Sequence, residues 1–132
     1  MVATVELEKD FDAFFGKAPW SAFHPHAVYD KHLDCIRVFL RDCSATERRI
    51  DTIFTVLEDN YPDKQQQPFA GFTIKGVKHV FRRIGLPVKG VYALTVILDK
   101  IVKTIPEERT QDVKELIQQP LLTELGLEVK LA

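Results

Sequence analysis

The sequence predicts an all-α fold, a single compact domain over residues 1–132 made of five to seven helices in a bundle-like or orthogonal array. Three observations carry that reading. Apolar residues recur at three- and four-residue spacing along most of the chain. No stretch alternates cleanly enough to read as a strand. Helix starts and stops (Ser/Thr caps, Gly and Pro) fall between the apolar stretches.

The first helix is expected from about Val5 to Phe15. Thr4 can cap it, Glu6 and Glu8 suit its positive end, and Gly16 can end it. Leu7, Phe11, Phe14 and Phe15 form its apolar stripe. The loop "KAPWSAFHP" offers Trp20 and Phe23 to the core. A second helix is expected from Pro25 or His26 to Asp42, burying Val28, His32, Cys35, Ile36, Phe39, Leu40 and Cys43. "SATE" at Ser44 has the form of a capping box, with the Ser44 hydroxyl on the Glu47 amide. It opens a third helix to about Asn60, buried through Ile50, Ile53, Phe54 and Leu57.

"YPDKQQQP" is a polar loop. The fourth helix runs from about Phe72 to Ile84 and is stopped by Gly85 and Pro87. A fifth spans about Val88 to Thr104, with Val91, Leu94, Ile97, Leu98, Ile101 and Val102 inward, and is expected to be central. The short link "GLP" makes these two antiparallel neighbours. Pro106 starts a sixth helix that ends before Pro120, and Leu121 to Leu125 form a short last one.

Bulk properties exclude several classes. Apolar residues make up 45% and charged residues 28%, which is a globular rather than a disordered balance. The formal net charge of −1 gives no global attraction to nucleic acid or membranes. No run of apolar residues is long enough for a membrane-spanning helix, and the acidic start is no secretory signal. Cys35 and Cys43, eight apart on one expected helix, lie about 12 Å apart and cannot pair. A reducing cytoplasm is the expected location.

Charge is nevertheless uneven. Residues 1–66 carry a net −4, residues 67–104 a net +6 with Asp99 the sole acid, and residues 105–132 a net −3. Within "TIKGVKHVFRRIGLP", helical geometry puts Ile74, Val77, Val80, Phe81 and Ile84 on one arc. Lys75, Lys78, His79, Arg82 and Arg83 fall on the opposite arc. With Lys100 and Lys103 from the next helix, they form a candidate surface for an acidic protein or another anionic ligand. Nucleic acid is the less favoured anion, because aromatics do not interleave with the cations. The plainer alternative is a solvated helix face. The favoured function is therefore a non-catalytic regulatory or adaptor module.

His79 carries two alternatives. With Phe81 two residues on and Arg82 three on, it resembles the signature of histidine-phosphotransfer domains. That family places Gly four residues after the histidine, where this chain has Arg83. The "KH" before a Pro87 turn, with Phe39 in "DCIRVFLRD", also resembles bacterial haemoglobins. This resemblance implies globin-like packing, haem as cofactor and His79 as the iron ligand. Lys75, one turn earlier, stands where a haem pocket needs an apolar side chain.

A metal site from His24, His26, His32 and Cys35 is weighed against a core histidine beside a buried thiol, and the second is favoured, so no metal is expected. Neither a nucleophile with its base nor a phosphate-binding glycine loop is present, and the pairs Asp30/Asp34 and Asp59/Asp63 read as solvent-facing.

Overall fold

The computed structural model describes residues 23–50, 52–64, 68–105 and 124–131. These residues are mostly β-structure, which overturns the all-α expectation and with it the helical bundle and globin-like packing. Strands β1 (His26–Asp30), β2 (Cys35–Phe39), β3 (Ala45–Arg49), β4 (Phe54–Asp59) and β5 (Phe69–Lys75) form one antiparallel sheet. Its spatial order is β1-β2-β5-β4-β3. Helix α1 (Val77–Ile84) follows, then β6 (Gly90–Ala93), helix α2 (Leu94–Thr104) and β7 (Glu128–Leu131). β6 and β7 pair antiparallel as a second, two-stranded sheet.

The second expected helix is the β1–β2 hairpin. Its apolar residues satisfy period two as well as period 3.6. Ile36, Val38 and Leu40 are buried, while Arg37 and Phe39 between them lie on the other face. Short apolar runs do not separate the two periods, and pairing along β2 and β5 decides the matter. His32, expected in the core, is exposed at the hairpin tip, and Cys35 is buried beyond the turn. Ser44 caps no helix. Its hydroxyl accepts from the Asn60 side-chain amide at 3.0 Å, and its carbonyl from the Asn60 backbone N–H at 2.8 Å, at the start of β3. The first and sixth expected helices, and Trp20, lie outside the described residues; of the last short helix only Glu124 and Leu125 are described, and both are helical.

The core sits between one face of the sheet and the helices. Ile36, Ile74 and Phe54 form one row across β2, β5 and β4, and Val38, Phe72 and Val56 the next. Against them pack Val77, Val80, Phe81 and Ile84 of α1, Leu94, Ile97, Leu98 and Ile101 of α2, and Val129 and Leu131 of β7. Each such side chain contributes about 1.5–3 kcal/mol by leaving water. Phe81 also meets Tyr92 edge-on at 5.7 Å. The "GLP" link is not a helix–helix turn, since β6 lies between α1 and α2.

Gly71 matters to the opposite face. It sits at φ +153° between Phe39 and Leu57, and a Cβ there would run into the Val38 carbonyl oxygen. Just beyond, the β4–β5 register shifts at Leu57/Glu58. A bulge of this kind bends a sheet.

Candidate functional site

Helix α1 is built to hold its cations outward. Gly76, at φ 61°, turns the chain from β5 into the helix, a left-handed conformation that costs glycine least. The helix then takes its cap from elsewhere in the chain. Asp34, in the β1–β2 turn, accepts the Lys78 N–H with both carboxylate oxygens at 3.2 Å, and its backbone carbonyl accepts the Val77 N–H at 3.0 Å. A carboxylate at this end meets both the free amides and the helix dipole. The Tyr29 hydroxyl donates to Asp34 Oδ1 at 2.8 Å. Burial first, and then this bond to the carboxylate, push the Tyr29 phenol from 10.0 up to about 12. Gly85 ends the helix, also left-handed, with its N–H on the Phe81 carbonyl.

Lys78, His79, Arg82 and Arg83 are all exposed, while Val77, Val80, Phe81 and Ile84 are buried. The opposed arcs expected from the sequence are therefore present over these residues, although Ile74 and Lys75 belong to β5. Lys75 is half-buried and engaged, and Arg83 is engaged as well. Lys100 and Lys103 are exposed on α2, where the Lys103 ammonium lies 2.9 Å from Asp99 one turn earlier. The Asp34 cap brings the hairpin tip against the first turn of α1. That tip carries Lys31 and His32, with Leu33 61% exposed. Sequence reasoning missed this neighbour because it placed residues 25–42 in a helix.

The alternatives for His79 lose their frame. Both resemblances place it on a helix among helices, and α1 is an eight-residue helix packed on a sheet-based core. The residues weighed as a metal quartet, His24, His26, His32 and Cys35, are spread along β1, its approach and the hairpin. The His26 Nδ1 bonds the His24 carbonyl at 2.7 Å and its ring lies 5.2 Å from that of Phe39. Among the described residues, no group of three metal-ligating side chains forms.

A second feature lies on the opposite face of the sheet. Arg37, Phe39, Arg41, Cys43, Glu47 and Leu57 line a concavity of about 320 Å³. Arg41 is held in place, with Nη1 on Asp59 at 3.1 Å and Nη2 donating to the Phe69 carbonyl at 2.7 Å. The Thr55 hydroxyl donates to Glu47 Oε1 at 2.6 Å. Burial, and then the Asp59 charge, raise the Cys43 thiol above its ordinary range, so it stays protonated near neutrality. Among the described residues, Arg37 Nε and Thr73 Oγ1 are the buried side-chain polar atoms without a hydrogen-bond partner. Alternation along β2 and β5 gives the signal for such a face, but only once those segments are known to be strands.

Compared with protein-family models, curated proteins and solved structures, the chain matches none. Among the described residues no helix is long and apolar enough to cross a membrane.

Proposed function

We propose that the chain is a non-catalytic binding module that docks an acidic protein segment on the outer face of α1. The observation supporting it most directly is that Lys78, His79 and Arg82 stand exposed on a helix that carries no acidic residue of its own. Asp34, whose carboxylate reaches the helix start, is taken up by the backbone and by Tyr29. An acidic segment complements these cations, and Leu33 beside them offers an apolar anchor at the edge.

The test is titration of the full chain with a fluorescent Glu-rich peptide containing one leucine. Binding is expected to weaken at least tenfold in the Lys78→Gln/His79→Gln/Arg82→Gln variant, and to weaken as salt shortens the Debye length below about 10 Å. The melting temperature of that variant should stay near the parent's, because exposed charges contribute about 0–1 kcal/mol each. Peptide binding that survives the triple change, or no binding by the parent protein, removes the proposal.

A further inference from the structure

The open edge of the sheet carries a further inference, independent of the α1 surface. The strand order β1-β2-β5-β4-β3 leaves β3 outermost, and among the described residues it pairs with β4 alone. At the other end of the sheet, β7 runs close beside β1. All five residues of β3 are exposed. An outermost strand keeps one row of backbone donors and acceptors for a further strand.

The ladder shows which residues carry that row. The Ser44 carbonyl accepts the Asn60 N–H at 2.8 Å, and the Ile50 N–H donates to the Phe54 carbonyl at 3.0 Å. Thr46 pairs with Glu58 and Arg48 with Val56 in the same register. In an antiparallel ladder, bonded residues alternate with unbonded ones. Ser44, Thr46, Arg48 and Ile50 therefore turn their backbone groups to β4. Ala45, Glu47 and Arg49 turn theirs to the open edge.

Charged edges guard a sheet against pairing when like charges meet. Here the charges are self-complementary in one register. A twofold axis normal to the sheet keeps each side chain on its own face, so it passes through a residue position rather than between two. Centred on Glu47, it would set two carboxylates opposite one another, which opposes pairing. Centred on Thr46, it would set Glu47 against Ala45, with no ion pair. Centred on Arg48, it sets Glu47 of each copy opposite Arg49 of the other. The side chains suit that last register. Glu47 takes the Thr55 hydroxyl on Oε1 and has a second carboxylate oxygen. Arg49 is engaged within its own chain, and a guanidinium has five donors to share. Arg48 meets its own copy at the axis, but its Nε lies 2.7 Å from Glu58 of β4, which draws the charge back over its own sheet and offsets it.

We propose that β3 is a dimerisation edge. Two copies of this chain join their sheets antiparallel through β3, about a twofold axis at Arg48, with reciprocal Glu47–Arg49 ion pairs between them.

Sedimentation equilibrium of the full chain tests this, and a dimer is expected at high micromolar concentration. Glu47→Lys and Arg49→Glu should each weaken it at least tenfold, since each sets like charges opposite one another at both positions. Mixed in equal amounts, the two variants should recover the dimer, because every altered position then meets an opposite charge on the other copy. Glu47→Pro removes an N–H that points away from β4, so it should weaken the dimer at least tenfold while keeping the circular dichroism spectrum. In a Cys43→Ser background, Arg48→Cys should cross-link two copies under mild oxidation, because an unbonded antiparallel pair has its Cα atoms about 4.5 Å apart. Thr46→Cys should not cross-link. If Arg49→Glu does not fold, Glu47→Lys, Glu47→Pro and the cross-link decide. A chain that stays monomeric at high micromolar concentration overturns the proposal. So does a dimer indifferent to Glu47→Lys and Glu47→Pro, a mixture of folded variants that recovers nothing, or cross-linking through Thr46→Cys in place of Arg48→Cys.

Discussion

The outer face of α1 and the outer face of the sheet both present arginines, and they use them in opposite ways. On α1, Lys78, His79 and Arg82 are exposed on a helix with no acid on it. On the sheet, Arg37 has its Nε buried in a row that ends in a carboxylate. Exposed cations attract broadly, are screened by salt and contribute little to folding. A half-buried guanidinium is instead held in one geometry by its neighbours, here first the Cys35 sulfur. The first face suits an extended acidic partner held by summed charge. The second is a fixed part of the sheet, set by strand order and register.

The comparison depends on α1 being rigidly seated, and Val80→Asp is the substitution with the largest expected effect. Val80 is 1% exposed in the centre of the core cluster. A carboxylate there has no cation to meet and costs several kcal/mol, enough to unfold a domain of ordinary stability. Loss of the far-ultraviolet signal, set against its retention in the Lys78→Gln/His79→Gln/Arg82→Gln variant, would separate the two faces of one helix. A folded Val80→Asp protein would show that α1 is dispensable to the core.

Gly71→Ala does the same for the sheet. The new methyl group meets the Val38 carbonyl oxygen, and φ +153° is unfavourable for any residue with a Cβ. A loss of about 2 kcal/mol or more is expected in urea unfolding. The pairing of β2 with β5 should be the part that loosens, visible as faster amide exchange at Phe39 and Leu40. Unchanged stability would mean that the strands shift at little cost.

These two sites also show what was legible in the sequence. The α1 arcs could be read because Val77, Val80, Phe81 and Ile84 fit only a helical period, and Gly85 marks its end. The core of α2 was legible for the same reason, through Leu94, Ile97, Leu98 and Ile101. Residues 25–60 misled. Ile36, Phe39 and Leu40 fit a helix, while Ile36, Val38 and Leu40 fit a strand equally well, and only partners far along the chain choose between them. Ile53 and Phe54 were rightly expected to be buried, in an element of the wrong kind. The row from Arg37 to Glu47 could not be read at all, since its members come together only through strand order.

A smaller effect is expected at Asp34, which links the hairpin to α1. Asp34→Ala removes the carboxylate from the Lys78 amide, and loss of a helix cap costs about 1 kcal/mol. The residue has φ 52°, so Asp34→Asn, which tolerates that conformation and still accepts a bond, should recover part of the loss. Tyr29 reports the same link through pH. In the unfolded chain the phenol ionises near 10.0, but in the folded one it keeps its proton to about 12. The unfolded state therefore holds fewer protons between those values. The contribution is complete below pH 10 and is lost as pH rises toward 12. Absorbance at the tyrosinate band should show one late-titrating phenol that Tyr29→Phe abolishes. Ionisation of all tyrosines together near the ordinary value would break the proposed link.

The smallest stability effect is expected from Asp99→Asn, and it sharpens the extent of the basic face. The Asp99–Lys103 pair is exposed on both sides, at 56% and 73% of the side-chain surface, and is spaced by one helical turn. Such pairs contribute about 0.3–0.5 kcal/mol, so the melting temperature should scarcely move. Its effect on binding is more informative. Asp99 is the sole acid of residues 67–104, and removing its charge releases the Lys103 ammonium. If Lys100 and Lys103 extend the surface of Lys78, His79 and Arg82, the Glu-rich peptide should bind Asp99→Asn more tightly and with steeper salt dependence. If α2 presents its cations elsewhere, affinity should stay within error of the parent, and the partner's footprint is confined to α1 and the Leu33 hairpin tip. A tighter complex that also loses its sensitivity to Lys78→Gln/His79→Gln/Arg82→Gln would move the docking surface from α1 to α2.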